Sequence, residues 1–156
     1  MQSGRKSRVK TALTLLKSKL FQYQGHIGAA LVLGGVDRDG PHLFTVYPHG
    51  SSDALPYAAM GSGSLAAIAV LETGYNECLS EDKAKLLVTR AIMAGILNDL
   101  GSGSTVDLCV LSNGGATYLR NFQCGAEREM RSDTLELDVG KACSDRTNIS
   151  TATRIV

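Results

Sequence analysis

The order of elements in this 156-residue chain predicts an α+β fold, with helices layered outside a two-sheet sandwich. Three observations carry that prediction. An amphipathic helical stretch comes first, strand-like apolar runs broken by turn residues follow, and two further helical runs lead into a closing hairpin signal.

From about Ser7 to Gln22, Val9, Ala12, Leu13, Leu16 and Leu20 recur at steps of three and four, and Lys10, Lys17 and Lys19 fall mostly elsewhere on the wheel. Gly25 interrupts this helix. His26 to Val36 is then almost wholly apolar, as expected of a strand covered on both faces. Asp37-Arg38-Asp39-Gly40-Pro41 is dense in turn residues and leads to His42–Tyr47, so the two runs are expected to pair as an antiparallel hairpin. A short strand is expected near Tyr57-Ala58-Ala59. A compact helix follows over Ser64–Leu71, with Ser62 or Ser64 expected to cap its first amides. Ser80 stands before Glu81 and Asp82, whose charges suit a helix start, and Ala84, Leu87, Val88, Ala91, Ile92, Gly95 and Ile96 mark the buried stripe of that helix. Thr105–Leu111 returns to strand character, and Asn113-Gly114 signals a tight turn into Ala116–Leu119. Beyond Phe122, only Leu135-Glu136-Leu137-Asp138-Val139 alternates convincingly.

With 44% hydrophobic residues, the chain has material for one core and too little length for two domains. Its net charge of +1 gives no reason to expect a nucleic-acid partner. The charge is nonetheless unevenly placed, because Arg5, Lys6, Arg8, Lys10, Lys17 and Lys19 all precede the first acidic residue, Asp37. A basic, acid-free start is also a feature of organellar transit peptides, but this helix runs straight into a strand instead of ending at a disposable boundary. Cys78, Cys109, Cys124 and Cys143 lack Cys-x-x-Cys spacing, which argues against zinc and for free thiols in a reducing compartment. His26, His42 and His49 are too scattered to form a metal site. No apolar run approaches the roughly 20 residues that cross a bilayer. A soluble, intracellular protein without a membrane partner is expected.

Two Gly-Ser elements stand at the edges of helical runs: Met60-Gly61-Ser62-Gly63-Ser64 and Asn98-Asp99-Leu100-Gly101-Ser102-Gly103-Ser104. Taken alone they are turns and helix caps. The second lacks the lysine of a phosphate-binding loop and precedes a strand, and read locally Ser62 has neither a nucleophile elbow nor an identifiable histidine or aspartate partner.

Together with Phe21–Asp37, Gly40-Pro41-His42-Leu43, Tyr47-Pro48-His49-Gly50-Ser51 and Asp107-Leu108-Cys109-Val110, these elements resemble, in order and spacing, the trypsin-like beta subunits of the eukaryotic proteasome. The resemblance runs from Ser3 to Arg120, so residues 1–120 are expected to form a partial beta-subunit domain and residues 121–156 a divergent tail. It implies the four-layer αββα sandwich of N-terminal-nucleophile hydrolases, incomplete at the N-terminus. It also implies a threonine endopeptidase chemistry that cleaves after basic residues, in which a free N-terminal threonine is nucleophile and, through its amine, proton acceptor.

Ser62, Asp99 and Ser102 match the family's supporting residues around that threonine. The nucleophile itself matches nothing in this sequence, and no glycine here is followed by threonine, the bond that family precursors cleave. The chain as given is therefore expected to be an inactive, shortened product, or a non-catalytic protein that keeps subunit contacts or competes during assembly. His49 and Ser51 match a segment lining a neighbouring subunit's substrate pocket. The backbone carbonyls of Ile96, Asp99 and Ser102 match a structural cation site present in some subunits, and no other cofactor is implied. The implied partners are the alpha and beta subunits of a stacked-ring particle and unfolded polypeptide substrates, in the cytoplasm and nucleus.

Overall fold

Helix α1 spans Val9–Gln22 and strand β1 follows at Leu31–Asp37 in the computed structural model, which describes residues 7–124. β1 begins later than its apolar run, because His26 to Gly28 is spent on turns. The His26 amide donates to the Tyr23 carbonyl at 2.8 Å and the Gly28 amide to the Gly25 carbonyl at 3.0 Å. Gly25 (φ +83°) and Gly28 (φ +65°) supply the left-handed backbone those turns need. β1 is flanked on both faces, as its composition predicts, but is only half-buried along most of its length.

Strand β2, Gly40–Val46, pairs antiparallel with β1 across the two-residue turn Arg38–Asp39, with Leu31 opposite Val46 and Asp37 opposite Gly40. The two adjacent glycines of β1 serve opposite faces. A Cβ on Gly35 would sit 2.5 Å from a methyl of Val9, and one on Gly34 would sit 3.6 Å from a methyl of Leu111. Their small size lets α1 approach one face of the sheet while the segment bearing Leu111 approaches the other.

The third strand, β3, lies at Ser52–Ala54 and pairs antiparallel with Phe44–Val46. This corrects the strand expected near Tyr57–Ala59. The turn after β2 closes early, with the Tyr47 amide donating to the Ser51 carbonyl at 2.9 Å, so the chain re-enters the sheet at once. Pro56, which has no amide to give a ladder, then directs Tyr57–Ala59 away from it.

Helices α2 (Ser64–Gly74) and α3 (Glu81–Asn98) pack on each other, and strands β4 (Thr105–Ser112) and β5 (Gly115–Cys124) form a separate hairpin through Asn113-Gly114. The capping expectation is not met. Gly63 occupies the N-cap of α2, Ser80 that of α3, and neither helix start has a side-chain cap bond. Ser62 spends its hydroxyl elsewhere, as described below.

α3 is buried on two sides, which a single stripe does not describe. Leu87 and Ala91 join Ala67 and Leu71 of α2 in one cluster, and Met93 joins Val106 and Leu108 of β4 in another. Thr89, Met93 and Ala94 are therefore buried in addition to the predicted stripe. Contacts run from α1 to β1 and β2, from β1 to β4, and from β4 to α3. The expected strand at Leu135–Val139 lies outside the described residues.

Candidate functional site

The turn before α2 and the turn after α3 meet, although Ser62 and Asp99 are 37 residues apart. Small residues make the meeting possible. A Cβ on Gly63 would stand 3.1 Å from the Cα of Gly95 and 3.3 Å from Ser102 Oγ, so the start of α2 lies directly on the last turns of α3. Gly95 is legible in the sequence as a stripe position, but its close approach to Gly63 has no periodic signal.

Asp99 closes α3 as its C-cap residue. Its Oδ2 accepts the hydroxyls of both Ser62 and Ser102, each at 2.6 Å, and its Oδ1 accepts the Gly101 amide at 3.2 Å. The two hydroxyl distances are those of charge-assisted hydrogen bonds. The Ser102 hydroxyl, then the Ser62 hydroxyl and the Gly101 amide, hold the Asp99 carboxyl below its usual range, against a smaller opposing effect of partial burial. Asp99 is thus an anion at neutral pH. The Gly101 amide is a partner that sequence reasoning missed, and the Asp-x-Gly spacing of a side-chain turn was the available signal.

The consequence lies in what the hydroxyls have left. Each serine has one O–H to give and two lone pairs to receive with. Both O–H groups are committed to Asp99, so a group arriving at Ser62 or Ser102 is received as a hydrogen-bond donor. Ser62 and Ser102 border a cavity of about 600 Å³, between the start of β1 at Ala30–Val32 and the inner faces of α2 and α3. No histidine lines it. The arrangement suits an amine or a water molecule and lacks the base that a serine nucleophile requires.

The other predicted site residues fall as follows. Ile96 lines the same cavity, and the Asp99 carbonyl accepts the Ser102 amide at 3.2 Å, leaving one lone pair for a cation. His49 and Ser51 are in the β2–β3 turn, outside this cluster, with both residues exposed. Among the described residues no group of three or more His, Cys, Asp or Glu side chains forms a metal site. Nor is any described helix long and apolar enough to cross a membrane.

Comparison with known proteins identifies a family. Residues 1–111 match the family model described as "Proteasome subunit". The chain is 64% identical over 121 residues to "Proteasome subunit beta type-7-B" of Arabidopsis thaliana, covering 78% of this chain and 44% of that protein. It is 56% identical over 133 residues to "Proteasome subunit beta type-7" of Dictyostelium discoideum, covering 85% and 50% respectively. Against "Proteasome subunit beta type-2" of Saccharomyces cerevisiae it is 48% identical over 141 residues, covering 90% and 54%. The chain spans about half the length of the curated relatives it matches.

Proposed function

Because the chain belongs to the proteasome subunit family, we propose that it serves as a beta subunit of the trypsin-like type, built into a core particle with other alpha and beta subunits. The proposed work of that particle is hydrolysis of unfolded polypeptides after basic residues, in the cytoplasm and nucleus. The contacts of α1 with β1 and β2, of β1 with β4, and of β4 with α3 support a four-layer αββα sandwich. The proposed partial beta-subunit domain is residues 1–120, with residues 121–156 as a tail of its own character.

The convergence of Ser62 and Ser102 on Asp99 beside the cavity carries the reading. In an N-terminal threonine mechanism the amine takes the hydroxyl proton as the oxygen attacks the carbonyl carbon. A protonated or neutral amine offers N–H donors, and two serine oxygens with free lone pairs are suited to orient it. Asp99, negative and fixed, would stabilise the ammonium formed as the proton arrives. Ser62, Asp99 and Ser102 are thus positioning residues for a nucleophile. His49 and Ser51 are proposed to line the substrate pocket of an adjacent subunit. The carbonyls of Ile96, Asp99 and Ser102 would hold a structural cation, which would brace the turn after α3.

The test is the peptidase profile of core particles in which a subunit with this site also carries the free N-terminal threonine. Asp99→Asn, which keeps the side chain's shape and removes its charge, is expected to lower cleavage after basic residues by about 10²-fold. Cleavage after acidic and apolar residues should remain. Unchanged cleavage after basic residues would refute the site.

A further inference from the structure

Bare backbone presses on the Asp99 cluster from the α2 side. A Cβ on Gly63 would stand 3.1 Å from Gly95 Cα, 3.3 Å from Ser102 Oγ and 3.6 Å from Asp99 Cβ. Gly63 thus faces both the last turns of α3 and the turn that follows it. Local rules do not call for glycine at this position. Gly63 is the N-cap of α2, where asparagine, aspartate and serine serve better, and its φ of −85° needs no glycine. The demand for a missing side chain comes from across the contact.

Hydrogen bonds decide which neighbour gives way to a methyl there. Gly63 is held by its carbonyl, which accepts the Ala67 amide at 3.1 Å, and Gly95 by its own, which accepts the Asp99 amide at 2.8 Å. The backbone of Ser102 is held as well, because its amide donates to the Asp99 carbonyl at 3.2 Å. The Ser102 hydroxyl alone is free to move by rotation about a single bond. A methyl at position 63 therefore pushes that hydroxyl off Asp99 before it separates the two helices. Released from the carboxylate, the hydroxyl can turn its O–H elsewhere, and Ser102 is no longer fixed as an acceptor.

We propose that Gly63 is a positioning residue for the nucleophile's amine: its bare backbone keeps the Ser102 hydroxyl on Asp99, and so keeps the lone pairs of Ser102 Oγ available to an N–H donor. The inference rests on the amine-orienting role proposed above and adds the residue that enforces it. Gly63 acts through Ser102, and not through the spacing of α2 and α3.

The test uses core particles in which a subunit with this site also carries the free N-terminal threonine. Gly63→Ala should lower kcat/KM for cleavage after basic residues about tenfold, with cleavage after acidic and apolar residues reporting that the particles are intact. The acid limb of the pH profile, which follows the pKa of the free amine, should move to lower pH, because an ammonium that loses an acceptor is less stable. In a Ser102→Ala background no hydroxyl remains to be displaced, and Gly63→Ala should cost nothing more. Should Gly63→Ala alone fail to enter the particle, Ser102→Ala added to it should restore entry. A further loss in the Ser102→Ala background, entry blocked in both variants, or an acid limb that stays in place would assign the effect to the Gly95 contact and overturn the proposal. Full cleavage by Gly63→Ala where Asp99→Asn has lost it would also overturn the proposal, and would leave the amine-orienting role standing. Cleavage unchanged in both Gly63→Ala and Asp99→Asn would overturn that role as well.

Discussion

Asp37 and Asp99 each gather three hydrogen-bond donors around one carboxylate, the first at the β1–β2 hairpin and the second at the end of α3. Asp37 is buried and takes the Val9 amide at 2.9 Å, the Asp39 amide at 2.9 Å and His42 Nε2 at 3.1 Å. Two of those partners are backbone amides, whose whole capacity is spent in the bond. The carboxylate thereby fastens the start of α1 to the hairpin and does nothing further. Asp99 is only partly buried, and two of its three partners are hydroxyls that keep their lone pairs beside a cavity. The same means of satisfying a charge thus builds a joint in one place and a receptive surface in the other. What the partners have left over separates the two.

The largest effect that sharpens this contrast is steric. Gly35→Ala forces a methyl against Val9 beside the Asp37 joint and should cost about 1–3 kcal/mol in urea denaturation. Gly63→Ala meets Gly95 at the looser distance of 3.1 Å and should cost less, while displacing Ser102 Oγ from Asp99. Equal losses would mean that the two regions are alike in rigidity.

Charge removal comes next. Asp37→Asn should lower the thermal unfolding midpoint more than Asp99→Asn, because the Val9 and Asp39 amides and His42 all depend on that one buried carboxylate. Both carboxyls are held below 3.8, Asp37 chiefly by the Val9 amide and Asp99 chiefly by the Ser102 hydroxyl. A folded-state pKa below the unfolded one means that stability is complete above pH 3.8 and is lost as pH falls through the folded values. Carboxyl NMR titration should place both midpoints under 3.8, and a midpoint above it would break the corresponding network.

The smallest effect has the opposite sign. Thr89 is fully buried in α3 and its Oγ1 has no hydrogen-bond partner among the described residues, unlike either aspartate. Thr89→Val keeps the shape and removes the stranded hydroxyl, and should stabilise the chain by about 1 kcal/mol in the same denaturation assay.

Much of this arrangement was legible in the sequence, for reasons that differ by region. The β1–β2 hairpin was readable because Asp37-Arg38-Asp39-Gly40 carries its turn chemistry locally, and Asn113-Gly114 did the same for β4 and β5. The strand at Ser52–Ala54 was not, because its pairing follows from the early closure of the Tyr47–Ser51 turn and not from its own composition. The two-sided burial of α3 was hidden for a related reason: a helix that meets α2 on one side and β4 on another has no single apolar stripe. At the site, the Gly-Ser elements pointed to Ser62, Asp99 and Ser102 through resemblance. Local patterning alone assigned Ser62 or Ser64 to the cap of α2, a position the structure gives to Gly63. The bond from Ser62 to Asp99 spans two helices and has no short-range signature.

The account's central claim is that Ser62 and Ser102 are held as acceptors for a nucleophile's amine. A high-resolution structure of the core particle that carries this subunit in its complete form tests it most directly, by the position of the free N-terminal threonine. The account predicts the threonine nitrogen within about 3 Å of Ser62 Oγ or Ser102 Oγ, or joined to them through one water, with both hydroxyls still on Asp99. A threonine amine bound elsewhere, or a cavity between β1 and α3 closed by other side chains, would contradict it.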